Sequence, residues 1–390
     1  LDESTMNRTS LEIDATAESL GAELSSGSNL DMSTVSLSAL TANLAPSIEL
    51  LADVTRNPAF APEELERMRV RRIAAVEYET NDSFGIALRT LPPLIYGPDH
   101  AYGIPFTGSG TAASNQAISR DDLVKFHHDW LRPDNATLFV VGDTTLHEVL
   151  PMLEAGFGDW TAPATPLPHK RLDAVPLQPG KRLFLVDKPG SPQSLILAAH
   201  LAPSSGASNN LEIELMNDII GGIYSARVNQ NLRFDKHWSY GAYTFLPDAR
   251  GQRPWLVYAP VQTDRTADAV RELGAELDRF LSADPANDDE LSKVAHKSSF
   301  SLPGQYETND AVLAALLANS RFNRPDDYVS TLTQKYQAIT LEDVQAAARE
   351  VLHPGQLTWV IVGDSKEIRA SLQALDKGPV LVMNAEGELE

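Results

Sequence analysis

One stretch of the chain occurs twice. Residues 118–143 run from Ile118-Ser119-Arg120-Asp121-Asp122 to Val141-Gly142-Asp143, and residues 339–364 run from Ile339-Thr340-Leu341-Glu342-Asp343 to Val362-Gly363-Asp364. They align without a gap at an offset of 221 residues (339 less 118), with eight identities. Each reads as a capped helix, a proline turn, a strand and a Gly-Asp stop. Helix–Pro–strand units are common in mixed proteins, but eight identities in register favour an internal duplication. In this reading Thr137–Val141 is a buried strand.

The repeat sets the expected domain plan. Ala162-Pro163-Ala164-Thr165-Pro166-Leu167-Pro168 marks 161–180 as a linker. The second copy then starts near Lys181 and covers 181–390, and the first covers 1–160. Counting back 221 residues places the start of the first copy about forty positions before Leu1, roughly two strands and most of a helix.

The remaining elements follow from periodicity and punctuation. Helices are expected over Ser10–Leu20, Ala45–Arg56, Pro62–Glu79, 88–95, Ser119–Trp130, Asp264–Ser282, Asp288–Leu302, Asn309–Asn319 and Leu341–Val351. A further helix is expected from Asn209 past Gly221-Gly222 to Leu232. Strands are expected over Thr34–Leu40, Arg182–Val186, Ser194–His200, Trp238–Phe245, Trp255–Pro260 and Leu357–Val362. The fold class is α+β: two homologous domains, each a mainly antiparallel sheet packed against helices, the first copy cut short at its N-terminus.

Composition excludes several chemistries. With 32 Lys+Arg against 53 Asp+Glu, a formal charge of −21 argues against nucleic acid or an anionic membrane surface as partner. There is no cysteine, hence no disulfide, thiolate metal site or thiol nucleophile. No run of about 18 apolar residues could span a bilayer. None of the nine histidines forms His-x-x-Glu-His or its reverse. His127-His128-Asp129 is the only histidine cluster, and adjacent helical residues diverge by about 100°, so a solvated helix end is the better reading. Gly221-Gly222 lacks the spacing of a phosphate loop.

Several stretches carry a family likeness that spans essentially the whole chain. They are Leu1-Asp2-Glu3-Ser4-Thr5, Leu51-Ala52-Asp53-Val54 with Asn57-Pro58-Ala59-Phe60, Tyr96-Gly97-Pro98-Asp99-His100-Ala101-Tyr102-Gly103, and Leu131-Arg132-Pro133-Asp134-Asn135 to Asp143. In the second copy they run from Gly221-Gly222 through Leu232-Arg233 to Trp238-Ser239-Tyr240-Gly241. The chain thereby resembles the insulinase/pitrilysin family of zinc metallopeptidases, in its processing-peptidase-like bacterial branch, and each domain pair would be half of a clamshell.

The resemblance implies a zinc held by a helical His-x-x-Glu-His and a distant Glu, with the motif's Glu as general base. That motif lies just upstream of the segment that Leu1–Thr5 resembles. Ala75 stands where the family's downstream Glu ligand sits, and Glu77 lies about 200° around the helix from it. The opening Leu1-Asp2-Glu3 is similar to metal-free partner units. The chain is therefore expected to bind no cofactor itself and to be inactive alone, with zinc in a homologous partner subunit. In the family an Arg and a Tyr seven residues apart contact the substrate carbonyl across the clamshell. Arg233 and Tyr240 have that spacing here, and a guanidinium and a phenol can both stabilise a developing oxyanion. Phe234 replaces a usual acidic residue and His237 stands near a usual Gly. The expected function is a non-catalytic, peptide-binding partner unit of a two-part metalloendopeptidase, exported to the periplasm like its relatives. The alternatives are an interaction scaffold and a truncated zinc endopeptidase.

Overall fold

The computed structural model describes residues 1–178, 182–375 and 377–390. In chain order the elements begin with α1 (Ser10–Leu20), β1 (Glu23–Ser28), β2 (Ser33–Ser38), α2 (Leu44–Arg56), α3 (Pro62–Glu79) and α4 (Ser83–Tyr96). Next come α5 (Ala112–Ala117), α6 (Arg120–Trp130), α7 (Leu146–Phe157), β3 (Arg182–Asp187), β4 (Gln193–Ala202) and α8 (Asn210–Asn217). A π-helical turn over Asp218–Gly222, α9 (Arg227–Asn229) and a second π turn over Gln230–Asp235 lead to β5 (Tyr243–Phe245) and β6 (Arg253–Gln262). The chain ends with α10 (Thr266–Leu281), α11 (Asp288–Gln305), α12 (Asn309–Arg321), α13 (Tyr328–Ala338), α14 (Leu341–Val351), β7 (Thr358–Gly363), α15 (Ser365–Gln373) and β8 (Val380–Met383). The α+β class is borne out. Residues 161–178 of the expected linker hold no helix or strand; 179–180 and the expected domain start at Lys181 lie outside the described residues.

Two compact units are built from interleaved segments. The first comprises Leu1–Val76, Gly110–Lys170 and Thr308–Leu317; the second comprises Glu77–Ser109, Arg171–Glu307 and Ala318–Glu390. In the first, helix starts are set by side chains. Thr9 and Glu12 form a capping box on α1, Ser119 and Asp122 on α6, and Thr145 and Glu148 on α7. Gly21, at φ 61°, closes α1 in the left-handed conformation. β1 and β2 form an antiparallel hairpin, and Leu24 and Val35 pack with Ile13, Leu50 and Val54. Beneath it, buried Asp53 accepts bonds from Thr5, Asn7, Arg8 and Asn57. Burial raises the Asp53 pKa, but the four donors outweigh it and hold the carboxyl below its usual value.

The second unit contains a six-stranded sheet, β5-β6-β4-β7-β3-β8. The pairs β5–β6, β6–β4 and β4–β7 are antiparallel, while β7–β3 and β3–β8 are parallel. One face of the sheet, with Ile196, Trp255, Val257, Trp359 and Ile361, forms the core with α8, α10 and α14. Leu195, Leu197, Val360 and Val362, of opposite parity, are buried as well, and α4 packs along β4 and β7. Burial on both faces explains the unbroken apolar run of β4.

Three expectations are corrected. Thr137–Val141 is extended but belongs to no strand. Leu138 and Val140 are 48% and 44% exposed, whereas Trp359 and Ile361, 221 residues on, are 1% and 0% exposed. The difference lies in partners: β7 is paired on both sides, by β4 and β3. Second, the helix expected to run from Asn209 to Leu232 is broken into α8, α9 and two π turns. Third, the strand expected from Trp238 begins only at Tyr243. Ahead of it the Ser239 hydroxyl accepts from the Gly241 N–H (3.1 Å) and donates to the Pro260 carbonyl (2.5 Å), so a side chain takes the place of ladder bonds.

Candidate functional site

The segment from α8 to β5 carries Arg233 and Tyr240, and buried polar contacts shape it. At the end of α8, the Asn217 side-chain oxygen accepts from the Trp255 indole (3.0 Å). The Thr244 hydroxyl donates to the Asn217 carbonyl (3.4 Å). This draws the first π turn against β5. A Cβ on Gly221 would lie 2.6–2.7 Å from the side chain and backbone nitrogen of Thr244. Gly221 is thus needed for close packing. π-Helical turns are rare and collect at functional sites; here two lie within eighteen residues, Asp218–Gly222 and Gln230–Asp235, the second bearing Arg233.

The Arg233 guanidinium lies over the rings of Tyr224 (4.8 Å) and Phe234 (5.2 Å). Those rings meet edge to face, 5.4 Å apart at 74°. Among the described residues no carboxylate pairs with Arg233. After the π turn, His237 takes a left-handed backbone, φ 58°. Its Nδ1 lies 3.0 Å from the Arg233 carbonyl, placed to donate to it. Trp238 N–H returns to the Leu232 carbonyl (2.9 Å), which completes the helix end. A glycine would adopt that φ without strain.

Tyr240 is 84% exposed, at the tip of the turn pinned by Ser239. No hydrogen bond or ring contact joins Arg233 to Tyr240 among the described residues. A residue absent from the sequence reading links their supports. Asn229, fully buried, donates to the Tyr224 carbonyl (2.5 Å) and accepts from the Ala242 N–H (3.1 Å). It ties the loop whose ring carries Arg233 to the strand that follows Tyr240. Only its placement beside Gly241-Ala242 marks it, and no local pattern does.

The described residues do not fit a zinc ion. No group of three or more His, Asp and Glu converges among them. Ala75 brings no donor atom to α3, and neighbouring Glu77 is exposed. His127 and His128 diverge, as expected. His127 is not a solvated helix end, however: its Nε2 lies 2.7 Å from the Thr55 carbonyl and its ring meets Phe60 edge-on. Burial pushes its pKa down. His100 stacks on Tyr96 at 5.0 Å and accepts the Tyr102 N–H. No described helix is long and apolar enough to cross a membrane.

Comparison with known proteins bears on this geometry. Residues 2–87 match the family model described as insulinase (peptidase family M16), and residues 117–297 match that of the peptidase M16 inactive domain. An uncharacterized zinc protease of Mycobacterium leprae is 23% identical over 358 residues, covering 90% of this chain and 78% of the relative. The zinc protease PqqE of Helicobacter pylori is 21% identical over 367 residues, covering 92% and 80%. Among solved structures, a peptidase M16 inactive domain from Pseudomonas fluorescens superposes with a TM-score of 0.85 at 21% identity, over 93% of this chain and 85% of that one. A protease from Helicobacter pylori superposes with a TM-score of 0.84 at 19% identity, over 92% and 86%.

Proposed function

This chain belongs to the insulinase (M16) family of peptidases, and from that membership we propose that it is a non-catalytic partner unit of a two-part zinc metallopeptidase. It binds peptide and offers Arg233 and Tyr240 to a reaction centred on a homologous, zinc-bearing subunit. The observation that carries this reading is the state of Arg233: a cation with no acidic partner among the described residues, held on two rings, in a chain that also leaves Tyr240 exposed. A guanidinium and a phenol of this kind can both donate to the oxygen of a scissile carbonyl as negative charge develops there. Ala75, in place of an acidic ligand, supports assigning the metal to the partner. Periplasmic residence is part of this proposal and rests on the family resemblance alone.

The test is hydrolysis of a fluorogenic peptide by this chain mixed with a family subunit that carries His-x-x-Glu-His. The mixture hydrolyses the peptide and this chain alone does not. If Arg233→Ala and Tyr240→Phe leave the mixture at full activity, the chain is a scaffold instead.

A further inference from the structure

Arg233 pairs with no carboxylate among the described residues, in a chain where acidic residues outnumber basic ones 53 to 32, and it shares its two-ring setting with Arg324, which lies over Phe322 and Tyr328. Among the described residues, Arg8, Arg56, Arg67, Arg89, Arg132 and Arg227 all pair with a carboxylate. Arg233 instead has the faces of Tyr224 and Phe234. The two modes leave different parts of a guanidinium free. A carboxylate takes up the N–H edge and neutralises the charge. A ring attracts the cation through its π face and leaves the five N–H donors available.

The rings are themselves fixed. Tyr224 and Phe234 brace each other edge to face. The Tyr224 backbone is held by Asn229, and the Arg233 carbonyl faces the His237 ring nitrogen. We propose that Tyr224 and Phe234 are positioning residues that hold the Arg233 guanidinium over their rings and leave N–H donors free for a substrate carbonyl. The inference rests on the function proposed above and adds the residues that prepare Arg233 for it. Phe234, by sequence a departure from the family pattern, is then part of a substitute for an acidic brace.

Two measurements separate this inference from its premise. In the chain alone, the Arg233 side-chain Nε–Hε NMR signal, assigned through Arg233→Lys, carries an upfield ring-current shift. Tyr224→Leu and Phe234→Leu reduce that shift and Tyr224→Phe retains it. An unshifted signal, or one that Tyr224→Leu does not move, overturns the proposal. Tyr224 is 56% exposed, so its replacement leaves the core intact. In the complex with a zinc-bearing subunit, Tyr224→Leu lowers kcat about fivefold with little change in KM, and Tyr224→Phe restores it. Should the NMR shift behave as stated while Arg233→Ala leaves hydrolysis untouched, the aromatic hold stands and the partner-unit function falls.

Discussion

The Asn229 side chain joins Tyr224 to Ala242: its amide donates to one backbone and accepts from the other. Arg233 and Tyr240 are therefore placed by one buried strut even though they do not touch. A change in this segment is expected to move both, and the close approach of Gly221 to β5 is the first place to test that.

Gly221→Ala brings a methyl group to within 2.7 Å of Thr244. Overpacking of this kind costs about 1–3 kcal/mol. Thr244→Ala in the same chain recovers only part of the loss, because the Thr244 backbone nitrogen is also among the close atoms. Urea unfolding of the two single variants and the double variant measures this. Full recovery in the double variant would show that only the side chain obstructs.

His237 tests the backbone geometry beside Arg233. At φ 58° glycine is unstrained, His is tolerated and a β-branched residue is not. His237→Gly should stay within about 1 kcal/mol of the parent, and His237→Val should fall about 1–2 kcal/mol further. Equal unfolding midpoints for the two variants would mean that position 237 is not left-handed in solution.

His200 gives the second unit a pH dependence. Buried beneath Trp255 and beside His353, its pKa is driven down to about 3, chiefly by burial and then by His353. Its Nε2 accepts the His353 backbone N–H, which agrees with a neutral ring. The unfolded chain takes up this proton near pH 6.5 and the folded chain does not. Stability is therefore complete above pH 6.5 and falls as the pH drops toward 3, by at most about 5 kcal/mol for this group. His200→Gln should flatten the change in urea midpoint between pH 7 and pH 4. Parallel curves for parent and variant would remove His200 as the cause.

What could be read from the sequence was what local chemistry decides. The bounds of α1, α3 and α14 coincide with those expected, because Thr9 with Glu12, Pro62 with Glu63 and Glu64, and Thr340 with Asp343 mark helix starts by themselves. α7 is equally legible, from its Thr145–Glu148 box. Thr137–Val141 was not legible: it has the pattern of β7, but a strand exists only through its neighbours. At the candidate site, the seven-residue spacing picks out Arg233 and Tyr240, while Tyr224 and Asn229 carry no signal. Tyr224 lies in the turn between the first π turn and α9, outside any helix, so helical periodicity could not pair it with Arg233 nine residues on.

The proposed role of this chain is to assist a zinc centre held by a partner subunit. The direct measurement is turnover of a fluorogenic peptide by the mixture of this chain with a subunit bearing His-x-x-Glu-His, with parent, Arg233→Ala and Tyr240→Phe compared at saturating partner. The expected result is no hydrolysis by this chain alone, hydrolysis by the mixture, and a loss of roughly 10²-fold in kcat for each variant, the size seen when one oxyanion donor is removed. Hydrolysis by this chain without the partner, or unchanged turnover in both variants, would contradict it.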